Sequence, residues 1–482
     1  FSMGRSGKRS ERPADLISVL PEDLLLQILE HLGSARAAAG TSLLSRRWRG
    51  LWTRLPSLTL SLHDLPFGSI QTALHRAARP GVYIYHLNIR VAGQAGMIGS
   101  GSFSSLLLNA ASLSPVELRL ALPRNLQVSC MDVTLPSFHR ATSMDLRARA
   151  LHLTVFAKPH AVSNGCYVPF RSLERLSLSG CHIDLATFIP FCPRLRVLQV
   201  NTTGLIDMGN IAIHSASLEE LVVEHGNRWT RRAHVSVDSP VLKQLTASFH
   251  ACGNIGVSIL APMLDKVWWR CSYAKPIYGL GLWGLSEVGF NTDAGRGACV
   301  QLPSVHVLSL HISPVQDSVS FPNADLSFAA EIDKHMVTNF SGLDLHLSTK
   351  GHMFGTFVLH LLGMHRIHTA LRNLKIVLLR SEVKDACPVN CLCDEPKNWR
   401  TETITLADLE NMEIEGIGGE DHEFDFLKVI FGCAPVLKRV TVKLSDGVTP
   451  SVDWCTKVNN IFMAYPSVEC NADLVSRAKA VR

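Results

Sequence analysis

The chain has 482 residues, 46% of them hydrophobic and 18% charged, with a formal net charge of +6. That balance describes a folded, core-rich chain and excludes disorder as its general state. There is no run of about eighteen continuous apolar residues and no recognisable secretory leader, so neither a membrane-spanning helix nor export is expected. Only 7% of residues are aromatic, so Leu and Val must fill most of the core. Thirteen cysteines without paired spacing point to a reduced, intracellular protein, in the nucleus, the cytoplasm or both. Arg5, Lys8, Arg9 and Arg12 form the one dense basic group. It reads as a solvated, flexible arm over residues 1–13, and nucleic acid is not an expected partner.

Residues 20–52 read LPEDLLLQILEHLGSARAAAGTSLLSRRWRGLW. Pro21 suits a helix start, and Glu22 and Asp23 put negative charge where the helix dipole is positive. Leu24, Leu25, Ile28, Leu29 and Leu32 then recur at helical spacing. Gly33 is placed to stop that helix and Ser34 to cap the next. Leu43, Leu44, Trp48, Leu51 and Trp52 form a second apolar set among Arg46, Arg47, Arg49 and Arg54, and Pro56 ends the pattern. The prediction is three short helices. So small a bundle buries little by itself, and no Cys before Cys130 offers it a disulfide or a thiolate-bound metal. It should finish its core against something else.

Leu20-Pro21-Glu22-Asp23-Leu24 with Ile28-Leu29, then Leu44-Ser45-Arg46-Arg47-Trp48 and Leu51-Trp52, resembles the F-box of plant F-box/leucine-rich-repeat proteins, placed here at residues 14–56. The resemblance implies docking on a Skp1-type adaptor, and through it on a cullin-RING ubiquitin ligase. The residues it implicates are Leu20, Pro21, Leu24, Leu25, Ile28, Leu29, Leu32, Leu43, Leu44, Trp48, Leu51 and Trp52.

Further along, residues 58–62, 82–89 and 116–120 read as strands, 70–78 as a short helix, and 141–153 as one or two strands. The glycine-rich stretch 93–101 lacks the Lys-Ser/Thr of a phosphate-binding loop and reads as a flexible surface loop. From residue 170 a template apolar-x-x-apolar-x-apolar repeats. It is filled by Leu173/Leu176/Leu178, Leu195/Leu198/Val200, Leu218/Leu221/Val223, Leu242/Leu245/Ala247, Leu264/Val267/Trp269, Leu285/Val288/Phe290 and Val305/Leu308/Leu310. The first positions are 22, 23, 24, 22, 21 and 20 residues apart, the spacing of leucine-rich repeats. Pro193, Pro240, Pro262, Pro303 and Pro435 each stand two residues before a first position, as at a strand start. Cys181 holds the place where such repeats put Asn or Cys, and 184–191 is helix-like. After Leu310 the template continues at Phe340, Leu371, Leu409 and Leu437 with intervals of 28 to 38 residues, long enough to hold helices near 353–364 and 423–431.

The fold class expected is therefore α/β: an N-terminal three-helix F-box, then an irregular leucine-rich-repeat solenoid with a parallel concave sheet over residues 57–400. Residues 401–482 are similar to the FBD region found behind plant F-box repeats. Exposed strand positions supply the candidate substrate contacts Arg175, Arg196, Glu220, Lys243, Lys266 and Trp268. Neighbouring Glu174, Glu219 and Asp265 make the charge mixed, so no single ligand class is indicated.

Cys387, Cys391 and Cys393 form the densest cysteine group, with His365 or His368 as a conceivable fourth zinc ligand. Their spacing is not a pair of two-residue knuckles, so buried thiols are expected and no metal is assigned. His152, His182, His250 and His311 lie in or beside strands and read as structural. Neither Ser163-Asn164-Gly165 nor Ser179-Gly180-Cys181 is a nucleophile elbow, and no cofactor is implied. Trp269 falls on a core position, while Trp268 and Trp283 are candidates for the sheet face. With the resemblance, these readings imply a non-catalytic substrate-recognition subunit of a Skp1–cullin–F-box ligase with an unknown protein substrate. A small-molecule-gated receptor and a non-ligase binding module are the alternatives.

Overall fold

A computed structural model of the chain describes residues 20–32, 35–55, 59–78, 84–91, 99–123, 131–155, 169–201, 211–224, 233–251, 255–275, 278–293, 305–315, 324–369, 371–380, 387, 391, 393, 397–401, 404–445, 448 and 450–473. The basic arm, Gly33, Ser34, Pro56, residues 93–98 and 163–165, and Pro303 lie outside these. The chain divides into two compact units, Phe1–Arg175 and Leu176–Arg482.

In the first unit, α1 (Glu22–His31) starts directly after Pro21, and α2 (Ala35–Gly40) runs into a 3-10 turn at Thr41–Leu43. A second 3-10 helix, Leu51–Arg54, replaces the expected third α-helix. The reason is local: Gly50 stands left-handed at φ 79°, so the chain reverses there and leaves room for a single tight turn. Arg54 pairs with Glu22, and Arg47 donates to the Leu20 carbonyl, tying the end of the bundle to its beginning.

After the bundle come β1 (Thr59–Leu65), α3 (Phe67–Ala77), β2 (His86–Val91), α4 (Ser100–Ser112), β3 (Glu117–Ala121), β4 (Met131–Leu135) and β5 (Ser143–Val155). β1, β2, β3 and the first half of β5 pair parallel in that order, and β4 pairs parallel with the second half of β5. The sequence reading missed α4. Its Phe103, Leu106, Leu107 and Ala110 are all buried, at i, i+3, i+4 and i+7. The loop expected over 93–101 is corrected at its described end, because Gly99 caps α4 and Gly101 lies inside it. A helical stripe on a Gly/Ser-rich background hides from composition, not from periodicity.

In the second unit, β6 (Arg175–Ile183) leads into the short α5 (Leu185–Phe188), whose Asp184 cap accepts from the Ala186 amide at 3.1 Å. Then β7 (Val197–Asn201), β8 (Ile211–His214), β9 (Glu220–Glu224), β10 (Ala233–Asp238), β11 (Gln244–Ala251), β12 (Ile255–Leu260) and β13 (Lys266–Tyr273) alternate between two layers. β7, β9, β11 and β13 pair parallel in one sheet, while β8, β10 and β12 pair parallel in a smaller one. These repeats therefore return through strands.

The direction breaks at β14 (Gly279–Leu280) and β15 (Trp283–Asp293). β15 runs antiparallel to β13 and to β16 (Val305–Pro314), which corrects the expectation of an entirely parallel sheet. Only nine residues separate Tyr273 from Trp283, fewer than the roughly dozen that a parallel crossover needs. Gly281, at φ 60°, closes a tight β14–β15 reversal instead. From β16 the sheet is parallel again through β17 (Gly342–Ser348), β18 (Asn373–Leu379), β19 (Asn411–Ile417), β20 (Arg439–Leu444) and β21 (Glu469–Asp473). The returns carry α6 (Ala324–His335), α7 (Gly355–Gly363), α8 (His365–His368), α9 (Asp421–Cys433) and α10 (Val452–Met463).

Apart from Val305, every template position named above from Leu173 to Leu310 is buried, as are Phe340, Leu371, Leu409 and Leu437. The prolines sit slightly earlier than expected, inside turns rather than on strands. The amides of Leu195, Leu242, Leu264 and Leu437 close these turns onto the carbonyls of Cys192, Ser239, Ala261 and Ala434. Pro193, Pro240, Pro262 and Pro435 thus occupy the second turn position, where a φ fixed near −65° costs nothing. Serines before the strands link successive repeats: the Ser217 and Ser239 hydroxyls donate at 2.9 Å to the carbonyls of Leu195 and Leu218, one repeat back. Cys181 is buried within β6 and donates weakly to the Ser179 carbonyl.

Gly416 stands at φ +87° where the β19–β20 register slips between Glu415 and Ile417, and a Cβ there would lie 2.3 Å from the Leu378 carbonyl oxygen. Gly416→Ala should therefore lower unfolding stability by roughly 2–4 kcal/mol. Gly68→Ala, in α3 with nothing within 4 Å of the added methyl, should raise it by about 0.5 kcal/mol. Urea unfolding followed by circular dichroism measures both.

Candidate functional site

The N-terminal bundle divides the twelve residues expected to bind an adaptor into three sets. Leu25, Leu29, Trp48 and Leu51 point inward and are buried, together with Ala38 and Leu55. Their part is to hold the bundle. Leu20 and Trp52 are half-buried. Pro21, Leu24, Ile28, Leu32, Leu43 and Leu44 lie in water. Leu24, Ile28 and Leu32 follow one another at i, i+4 and i+8 along α1 and are each 41% exposed. Leu43 and Leu44, just past α2, are 91% and 69% exposed. The helix therefore has two apolar stripes side by side, one spent on its own core and one uncovered. Sequence periodicity merges them, because both belong to the same broad helical face.

The second candidate is the face of the main sheet opposite the buried template. Strand pairing aligns its side chains in rows. One row carries Gln199, Val222, Thr246, Trp268, Asn291 and Val307 across β7, β9, β11, β13, β15 and β16. Trp268 is exposed there, as expected, while Trp269 is buried beside it. Trp283 is not on this face: it stands two residues before Leu285, so strand alternation puts it on the same buried side, where it packs on Phe357.

The charged residues expected to bind substrate sit at the strand starts. Arg196 and Lys243 both reach Glu219, at 2.8 and 3.1 Å, and these two partners lower the Glu219 carboxyl below its ordinary range. Glu220 is half-buried at the start of β9, in register with Val197 and Gln244, and Lys266 continues that row. Arg175 is exposed at the start of β6. Further along, Arg270 binds Glu287 at 2.8 Å, and Ser272 adds a hydrogen bond of 2.8 Å to the same carboxylate. Lys375 and Lys443 then pair with Glu413 and Glu415 across β18, β19 and β20. Burial raises the Glu415 carboxyl, but its hydrogen bonds outweigh that and bring it down to about 2. These cations and anions neutralise one another, and the surface they make is polar with little net field.

His152 and His311, read as structural, make contacts across neighbouring strands. His152 pairs with Asp132 at 2.7 Å. His311 stacks on His346 with ring centroids 4.3 Å apart, and burial lowers both below the ordinary imidazole range. His365 and His368 lie against one another on α8 and are not part of the cysteine group. The residue that joins Cys387, Cys391 and Cys393 is His352, which sequence reading passed over because it lies 35 residues before Cys387.

α6 brings a buried polar cluster that the sequence did not announce. The Trp269 indole N–H donates to His335 Nδ1 at 2.9 Å, which leaves the ring proton on Nε2, 2.9 Å from the Tyr273 hydroxyl. Tyr273 in turn donates to Glu331 at 2.7 Å, and Lys334 reaches the other carboxylate oxygen at 2.7 Å. Glu331 and His335 are wholly buried, so the cluster clamps α6 to β13 and presents nothing to a substrate.

An F-box domain family model matches residues 17–60. Among curated proteins, the chain is 28% identical to an F-box/FBD/LRR-repeat protein of Arabidopsis thaliana over 351 residues, 66% of this chain and 68% of that one. It is 51% identical to a second Arabidopsis thaliana F-box/FBD/LRR-repeat protein over 53 residues, 11% of each. With F-box/LRR-repeat protein 25 of Arabidopsis thaliana it shares 26% identity over 208 residues, 42% of this chain and 74% of that one. Against several further relatives the chain spans about half their length.

The buried cluster makes stability pH-dependent. Burial raises the Glu331 carboxyl, but hydrogen bonds from His335, Lys334 and Tyr273 outweigh it and lower the group from 4.5 to about 2. The folded value lies below the unfolded one, so this stabilisation is complete above 4.5 and is lost as pH falls toward 2. Its size is on the order of 3 kcal/mol. Urea unfolding between pH 5 and pH 2 should show this loss in the parent chain and a flatter dependence in Glu331→Gln; equal slopes would contradict the assignment.

Proposed function

From a chain that carries an F-box and is similar over its repeats to plant F-box/LRR proteins of the FBD type, we infer the substrate-recognition subunit of a Skp1–cullin–F-box ubiquitin ligase. One observation carries the reading: Leu24, Ile28, Leu32, Leu43 and Leu44 remain in water on a bundle too small to waste apolar surface. A Skp1-type adaptor covers that face. Residues 14–56 are its docking module, 57–400 form a leucine-rich-repeat solenoid with the open sheet face inside it, and 401–482 close the array as an FBD-like region.

The open sheet face holds the protein substrate, with Trp268 as its aromatic anchor and Arg175, Arg196, Glu220, Lys243 and Lys266 along the strand starts. Because that face neutralises its own charges, recognition relies on shape and hydrogen bonding more than on long-range attraction. The chain performs no chemistry. Holding substrate lysines near a charged conjugating enzyme raises their effective concentration, and the ligase's other subunits catalyse the transfer. Cys192, Cys271, Cys391, Cys393, Cys455 and Cys470 are free thiols, which suits a reducing compartment such as nucleus or cytoplasm. Among the described residues, no helix is long and apolar enough to cross a membrane.

The test separates docking from folding. The triple variant Leu24→Glu, Ile28→Glu, Leu43→Glu should weaken the complex with a Skp1-type adaptor at least about a hundredfold, with thermal unfolding nearly unchanged. Leu29→Ala, in the bundle core, should instead cost about 2–5 kcal/mol of stability. Titration calorimetry and scanning calorimetry read the two. Full adaptor affinity in the triple variant would reject the docking role, and ubiquitin transfer to a captured substrate in a reconstituted ligase tests the rest.

A further inference from the structure

We propose that His352, Cys387, Cys391 and Cys393 form a closed tetrahedral zinc site that fastens the three cysteines to the corner between β17 and α7. Three thiolates and one imidazole are a donor set that structural zinc takes, with Zn–S of about 2.3 Å and Zn–N of about 2.0–2.1 Å. A tetrahedron with those bonds puts sulfur about 3.8 Å from sulfur and about 3.6 Å from nitrogen. Here Cys387 Sγ lies 3.5 Å from Cys393 Sγ and 3.4 Å from His352 Nδ1. Cys391 Sγ lies 3.3 Å from the same nitrogen, and all four donor atoms fall within 4.8 Å of one another. Three of the six edges of a ligand cage are thus in place to within a few tenths of an ångström, and the other three are no longer than 4.8 Å.

The backbone around His352 is built for this position. Lys350 and Gly351 both stand left-handed, at φ 45° and 81°, in a turn closed by the His352 amide donating to the Thr349 carbonyl at 2.8 Å. Two consecutive positive φ values are the mark of a type I′ turn, and a lysine there is strained by about 1 kcal/mol or more. The Thr349 amide donates to the Leu379 carbonyl at 3.2 Å, so the turn is anchored to the end of β18. The His352 ring is held edge-on to Trp283, and the Met353 amide donates to the Cys393 sulfur, an outer-shell bond of the kind that orients a thiolate ligand.

Other uses of these residues fit less well. A disulfide would bring two sulfurs to about 2.0 Å, whereas Cys387 Sγ and Cys393 Sγ stand 3.5 Å apart. A nucleophilic Cys–His pair needs one thiol per imidazole and an open approach for substrate; here three thiols converge on one ring. Soft sulfur donors select zinc over magnesium or calcium, and four protein ligands leave no position for a reacting water. The site is accordingly structural. It holds Cys387, Cys391 and Cys393 in place ahead of the 3-10 helix Lys397–Thr401, and Trp399 of that helix is buried. It also revises the expectation of no metal, with His352 in the place considered for His365 or His368.

The test is the metal itself. Full-length chain purified from zinc-supplemented medium should carry about one zinc per chain by mass spectrometry, and His352→Ala or Cys391→Ala should reduce that to under about a tenth. His365→Ala and His368→Ala should keep it. Because a ligand variant can fail to fold, the unmutated chain is also stripped and titrated with Co²⁺. Saturation near one equivalent with the intense visible bands of a tetrahedral thiolate complex supports the site. A chain without zinc and without those bands overturns it, as does a Cys387–Cys393 disulfide trapped by alkylation in the freshly isolated protein.

Discussion

A strand with one apolar face cannot settle alone, and this chain meets that constraint over and over. Each unit offers three apolar side chains in the same short template, and each becomes buried only when the next unit lies against it. Register follows from the same requirement, since a slip of one residue would turn Leu, Val and Ile out to water and the polar face in. The turns that precede the strands enforce it. A closing amide at the first Leu, often helped by a proline one position inside the turn, starts each strand at the same phase. Serine hydroxyls at Ser217 and Ser239 reach back one repeat and donate to the carbonyls of Leu195 and Leu218.

The same constraint, left unmet, defines the N-terminal bundle. α1 has enough apolar residues for two faces and a partner within the bundle for only one. Leu25 and Leu29 are spent on its core, and Leu24, Ile28 and Leu32 are not. Ion pairing of Arg54 with Glu22 and the Arg47 bond to Leu20 hold the bundle in shape without covering that stripe. Five large aliphatic side chains of this small bundle stay in water, and the proposed docking role assigns them to a neighbour.

What the sequence made legible depended on which signal had a single meaning. Template leucines from Leu173 to Leu437 were readable because burial, spacing and turn chemistry all agreed. The β15 reversal was not, since Leu285, Val288 and Phe290 satisfy the same template in either direction and only the short Tyr273–Trp283 link betrays the change. α4 escaped because its helical stripe is set in Gly and Ser, and α6 because its buried Glu331 and His335 look like surface residues until Trp269 and Tyr273 supply their partners. His352 was missed for a different reason: three ligands are neighbours in sequence, while the fourth arrives through a turn one strand and two helices earlier. The exposed and core residues of α1 were recognised together but not told apart, because helical periodicity finds a face and not what covers it.

The central claim is that the exposed stripe of α1 and the Leu43–Leu44 corner wait for a partner, and hydrogen exchange of the full-length chain with and without a Skp1-type adaptor tests it most directly. The account predicts slowed exchange confined to the amides of about residues 22–44 when the adaptor is added, with the sheet strands from β7 to β21 unchanged. Protection that is absent from α1, or that falls on the sheet face instead, would contradict it.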